Sequence, residues 1–201
     1  MSFNHIVVDK LVPDGYADLI EGILLNMEGW CYNKSASAVD DAYDKEDLNI
    51  VDSPQFTHVL FDHEIGPASE VWQHISPIVW FVEEKTGLKV SSIFRVKANL
   101  TYPTGTNENN YNPPHIDHGD PNKISMVYYV NDSDGDTRIF DNFVEQDFYK
   151  MKMIVSNKPK KGSAIIFPST RFHCSSNPVK NETRIVLNFV FDVEDRGPLS
   201  E

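Results

Sequence analysis

Basic residues are scarce in this chain: 18 lysines and arginines stand against 30 aspartates and glutamates, for a formal charge of -12. That balance argues against a nonspecific phosphate-binding surface, which needs a surplus of cations, so no nucleic-acid partner is expected. A local basic pocket stays open. Cysteine is scarcer still. Cys31 and Cys174 are the only two, and they make no disulfide framework. No secretory signal precedes the first apolar stretch, so a reducing cytoplasm is the expected compartment. The apolar runs fall far short of the roughly 18 to 20 residues that a membrane-crossing helix needs, and no membrane partner is expected. Internal repeats and low-complexity segments are also missing. What is present is ordinary: 201 residues, 40% hydrophobic and 24% charged, enough to bury a core without covalent staples. The expectation is one domain over 1–201, with a helical support region at 1–90, a strand-rich core at 91–194 and a tail at 195–201.

Residues 1–90 read mainly as helix and connecting loop. Leu19, Ile20, Ile23, Leu24 and Met27 follow Pro13 and Asp14 at helical spacing, and Gly29 suits the end of that helix. Residues 34–56 contain the acidic run "DDAYDKED" and read as a surface excursion. A second helix is expected from about Pro67 to Thr86, with Val71, Trp72, Ile75, Val79 and Val82 on one face. Pro77 should kink it, and Gly87 should stop it.

Beyond Gly87 the pattern changes to strands. In "SIFRVKANLTY" Phe94, Val96, Ala98, Leu100 and Tyr102 alternate with Arg95, Lys97, Asn99 and Thr101, a period of two. Further strands are expected at 123–131, 137–140, 151–156, 162–168 and 183–193. The fold class is mainly β with flanking helices: an antiparallel sandwich or barrel, with the helices packed on one sheet. In the last strand Ile185, Leu187, Phe189, Phe191 and Val193 form an apolar face, suited to lie under helices. Arg184 and Asn188 point the other way, and such groups do not enter a dry core without partners. Something polar should therefore lie inside the sandwich.

The stretch "NPPHIDHGDP" (112–121) supplies a candidate. His115 and Asp117 are two apart, so on an extended chain they face one side and can meet one cation. His173, just past an expected strand, is the third candidate. Two histidines and one carboxylate with open positions form the facial triad of non-haem Fe(II) oxygenases. His118 should face the opposite way as a loop residue, and His5, His58, His63 and His74 have no partner pattern. Cys174 reads as a packed thiol. Asp132, Asp134 and Asp136 alternate like calcium ligands, but Gly135 and Phe143 break the EF-hand positions, so a hairpin turn is expected there. Arg184 offers a planar cationic fork for the far carboxylate of a dicarboxylate bound at its other end to the metal.

The ordered segments "LTYPTG", "HID", "YYVND", "GDTRIF", "FHC" and "TRIVLNFVF" resemble the Fe(II)- and 2-oxoglutarate-dependent oxygenases, in particular the prolyl 4-hydroxylase-like branch with the hypoxia-inducible-factor prolyl hydroxylases. The chain also resembles phage-encoded members. The resemblance covers roughly 92–193 and implies a double-stranded β-helix, or cupin-like jelly roll. It implies His115, Asp117 and His173 as catalytic iron ligands. It implies Arg184, Tyr102, Tyr129, Thr137 and Asn188 as 2-oxoglutarate-binding residues, with ascorbate as a further cofactor. The implied activity is a dioxygenase hydroxylating an aliphatic C–H of a prolyl or other residue in a peptide or protein, turning 2-oxoglutarate and O2 into succinate and CO2. Loops 103–114 and 34–56 are candidate lids. The alternatives are the same chemistry on a free amino acid or other small molecule, for which Lys97, Arg138 or Arg171 could hold the substrate carboxylate, and a non-enzymatic cupin-like metal-binding protein. The sequence departs from the family in a long stretch between Tyr102 and His115 and in "GDT", where many relatives show two glycines.

Overall fold

The computed structural model describes residues 5–37, 49–141 and 151–195. Two antiparallel sheets build the fold. Strands β1 (Ile6–Val8), β2 (Cys31–Asn33), β3 (Gln55–Asp62), β4 (Gly66–Pro67), β5 (Lys89–Thr101), β6 (Lys123–Tyr129), β9 (Ala164–Pro168) and β11 (Arg184–Asp195) form the large sheet. Its order is β1-β9-β6-β11-β5-β3-β2, with β4 paired to β3. The small sheet holds β10 (His173–Ser175), β7 (Thr137–Phe140) and β8 (Met153–Asn157), in that order. Helices α1 (Asp14–Asn26), α2 (Trp72–Ile75) and α3 (Ile78–Thr86) complete the described elements. Among the described residues no helix is long and apolar enough to cross a membrane.

Period-two alternation decides which side of the large sheet each residue serves. Met126, Ile166, Leu187, Phe189 and Val96 look outward to α1 and α3, where Ile20, Leu24, Ile78 and Val82 meet them in one fully buried cluster. The opposite face carries Val127, Tyr129, Ile165, Phe167 and Val186, which pack against Ile139 of β7 between the two sheets. The apolar face expected for 185–193 is therefore under helices, and Arg184 and Asn188 are inside the sandwich.

The N-terminal ninety residues differ from the helical support expected of them. They supply four strands of the large sheet as well as the helices. β3 pairs with β5 from Phe56↔Leu100 to Asp62↔Arg95. Its first two residues end the stretch expected as a polar excursion, 34–56, and the rest had no expected element, because its partly exposed residues lack clean alternation. The run "DDAYDKED" lies outside the described residues, as do residues 142–150. The helix expected over 67–86 is two: Pro67 belongs to β4, and Pro77 separates α2 from α3. A ring that cannot donate to the preceding turn breaks so short a helix rather than kinking it. Gly87 (φ 75°) ends α3 in the left-handed region, as expected. α1 instead stops at an extended Met27, before Gly29.

Candidate metal centre

His115 and His173 are 58 residues apart in sequence, yet each donates its backbone N–H to the other's carbonyl at 2.9 Å. That isolated antiparallel bridge sets the rings 4.5 Å apart, centroid to centroid. His173 opens β10, whose pairing with Ile139 of β7 fixes its position in the small sheet. Asp117 is held through its backbone N–H, which donates to Ser169 at 3.1 Å. One ligand atom from each of His115, Asp117 and His173 falls within 4.8 Å of the others.

The donor set fits a divalent cation. A carbonyl can only accept, so His173 Nδ1, 3.0 Å from the Arg171 carbonyl, carries the proton and leaves Nε2 with its lone pair. That Nε2 points at the Asp117 carboxylate from 3.4 Å. His115 Nδ1 stands 3.5 Å from the Pro113 carbonyl, a longer version of the same arrangement. Burial, then the neighbouring His173, push the His115 pKa down to about 3, so its imidazole is neutral at neutral pH. Neutral imidazole is the ligating form. Burial works to raise the Asp117 pKa, but His173, His115, Lys97 and a hydrogen bond from Asn188 outweigh it, and the carboxyl is held in its anionic form.

Asp117 is also oriented. Its Oδ2 accepts from Ser125 Oγ at 2.7 Å and from Asn188 Nδ2 at 3.0 Å, and its Oδ1 faces Arg95 Nη2 at 3.4 Å. Ser125, Asn188 and Arg95 stand on β6, β11 and β5, and cross-strand register puts all three on the inner face. Ser125 is opposite Val190, Val190 opposite Arg95, and Asn188 opposite Lys97. Ser125 and Arg95 were not singled out in the sequence. The available signal was a lone hydroxyl on the face that Val127 and Tyr129 share.

The cavity beside these ligands contains Arg184. The residue is 3% exposed, with Nε donating to the Gly135 carbonyl at 2.7 Å and Nη2 to Thr137 Oγ1 at 2.9 Å. Both partners are neutral, and among the described residues no carboxylate pairs with it. Burial pulls its pKa below the usual arginine range, with Tyr129, Cys174 and Asp136 opposing. Gly135 has to be glycine: a Cβ there would lie 2.5 Å from the Ser176 carbonyl and 3.0 Å from Arg184 Cδ. Thr137 and Asn188 line the cavity with Arg184. Tyr129 lies behind them, fully buried, its hydroxyl accepting from Asn157 at 2.9 Å and in contact with Thr137. Tyr102 is not brought to the cavity lining. Its ring packs 6.0 Å from Phe56, and its carbonyl accepts from Asn177.

The remaining candidates divide as follows. His118 accepts from the Asp120 backbone and packs edge-on against Phe94, as a loop residue. Cys174 is buried, its thiol pushed up to about 12 by that burial. Asp134 accepts from the backbones of Val179, Lys180 and Asn181, and Asp136 from Ser156, so these carboxylates tie turns together. Arg138 donates to the Glu108 and Asn109 carbonyls and Arg171 to that of Asp141, away from the cavity lining. Lys97 does line it. Of the two expected lids, 34–56 contributes Ala36 and Gln55. Loop 103–114 contributes no lining residue and is pinned by Asn112 to Ser53, Ser175 and Asn177.

Residues 100–192 match the sequence model of the 2OG-Fe(II) oxygenase superfamily. His115, Asp117, His173 and Arg184 all lie within the match. No curated protein matches the chain. Solved structures do. The alpha-ketoglutarate-dependent epimerase SnoN from nogalamycin biosynthesis superposes with a TM-score of 0.63 at 13% identity, over 94% of this chain and 77% of that one. A prolyl-4-hydroxylase from Pseudomonas putida gives 0.53 at 16% identity, over 96% and 95%. A Trichoplax adhaerens prolyl hydroxylase, solved with a peptide of the hypoxia-inducible-factor oxygen degradation domain, gives 0.56 at 14% identity, over 98% and 87%. At such identities the likeness is one of fold, the double-stranded β-helix. The family match covers residues 100–192, under half of the chain.

Proposed function

We propose that this protein is a 2-oxoglutarate-dependent dioxygenase that hydroxylates an aliphatic C–H. The observation that carries the reading is the buried Arg184, a cation with neutral partners in the same cavity as a His–Asp–His cluster. An uncompensated guanidinium is costly indoors unless an anion joins it. A dicarboxylate bound at the metal would bring one.

His115, Asp117 and His173 would hold Fe(II), which supplies with 2-oxoglutarate and O2 the oxidising power for C–H hydroxylation, succinate and CO2 being the coproducts. Arg184 receives the distal carboxylate in a fork that Gly135 and Thr137 fix in orientation. Ser125 and Asn188 hold the Asp117 carboxylate and fix the orientation of the ligand. Val127 and Val186 give the cavity an apolar wall that limits water. A prolyl or other peptide residue is the first substrate reading, supported by the family resemblance and by similar folds that include prolyl hydroxylases. A small-molecule substrate is the second, and Lys97 in the cavity favours it.

The purified protein, given Fe(II), ascorbate, 2-oxoglutarate and air, should form succinate, and His173→Ala should abolish it. Absence of turnover in the wild type, or equal turnover in the variant, would overturn the reading.

A further inference from the structure

Lys97 and Arg95 are neither metal ligands nor cosubstrate-binding residues in the reading above. They stand two apart on the inner face of β5 and line a second lobe of the cleft, with Asn33, Ser35 and Thr57 around it. Lys97, Gln55, His115 and Asp117 border both lobes, so a molecule in the second lobe lies against the candidate metal ligands. Among the described residues the Lys97 side chain makes no hydrogen bond or ion pair. Arg95 has one contact, to Asp117 at 3.4 Å, and its Nε is buried without a partner.

Asp117 is the one acidic side chain among the described residues that border either lobe. It faces Arg95 and the candidate metal position; its charge favours the Lys97 ammonium from a distance, but it forms no ion pair with it. Two cations held two residues apart on one strand face also repel each other. A protein with a formal charge of -12 has many carboxylates, yet none of the described ones forms an ion pair with Lys97. A partly desolvated ammonium in that setting is a binding group whose partner comes from outside. One unmatched cation fits a monoanion, a carboxylate rather than a phosphate dianion.

We infer that the second lobe binds a carboxylate of the substrate, with Lys97 as its counter-ion and Arg95 beside it. This rests on the oxygenase reading for what happens next to the bound molecule, and it names the substrate class. The carboxylate is either the α-carboxylate of a free amino acid or an acidic side chain near the target residue of a peptide.

The two sources are separable by calorimetry on Mn(II)-loaded protein. 2-Oxoglutarate is titrated first. If it does not bind, the oxygenase reading fails, and the carboxylate titrations proceed without it. L-Proline is then compared with prolinamide, and an acetylated, amidated Asp-Pro peptide with its Asn-Pro counterpart. In one of the two pairs the carboxylate should bind about tenfold or more tightly than the amide. The pair that discriminates identifies the source. Lys97→Met should bring that ratio near one, Lys97→Arg should keep it, and both should bind 2-oxoglutarate like the wild type, which also shows that they fold. Equal binding within both pairs, or no binding up to about 10 mM, would overturn the inference. So would a Lys97→Met effect confined to 2-oxoglutarate, which would place Lys97 in the cosubstrate site.

Discussion

Arg184 and Asp117 are both buried charges, yet they are satisfied differently. Asp117 has Ser125, Asn188 and Arg95 around it. Arg184 has a carbonyl and a hydroxyl and no opposite charge among the described residues. A cation kept for folding alone would gain from a carboxylate partner, and replacing such groups by apolar ones is often neutral or stabilising. Arg184→Met is therefore expected to leave thermal stability within about 1 kcal/mol of the wild type, or to raise it. The same change should weaken 2-oxoglutarate binding roughly ten- to a thousandfold by calorimetry on Mn(II)-loaded protein. Loss of stability with unchanged affinity would make Arg184 a structural residue. The sequence already exposed this arginine, because it stood on the wrong face of an otherwise apolar strand. It could not expose Ser125 or Arg95, whose roles come from strands paired across the sheet.

At the scale of elements, β11 was the most legible segment. Its alternation separates a helix-covered face from an inner one, and both occur as expected. The turn before β7 was less so. Its "GDT" departs from the two glycines of many relatives, and the reason for the one glycine kept, Gly135, appears only where the turn meets Ser176 and Pro178. Gly135→Ala forces a Cβ into backbone at 2.5 Å. The expected cost is roughly 1–3 kcal/mol, read as a lower thermal midpoint, and 2-oxoglutarate affinity should fall with it because the Gly135 carbonyl seats Arg184. Full stability in that variant would mean that the turn has slack. β3 escaped the sequence reading altogether. Its outer pairing partners leave it half exposed, and a half-exposed strand lacks both the clean period of two and the apolar run that mark a core strand.

For the molecule as a whole, the described part of the N-terminal ninety residues supplies strands to the sheet and helices over it. β3 extends it beyond β5, and α1 and α3 cover the face that carries Met126, Leu187 and Phe189. Without them a row of large apolar side chains on β6, β9 and β11 would meet water, each worth about 1.5–3 kcal/mol of lost burial. We propose that 1–201 is one cooperative unit. A chain of residues 91–201 should lack near-ultraviolet circular dichroism and bind a hydrophobic dye. The whole chain should lose secondary and tertiary signals in a single coincident transition. A folded 91–201 fragment would divide the protein in two. Determined by the sequence alone were the β-rich class, the helix-covered face, and the residue types of a candidate metal centre with an arginine beside it, because period and charge are local properties that survive in one dimension. The tertiary structure decided the rest: that His115 meets His173, that Tyr102 turns away to Phe56, and that Lys97 looks into a cleft instead of out to solvent. A polar strand face reads the same whether it borders water or a cavity, and only the second sheet closing over it tells the two apart.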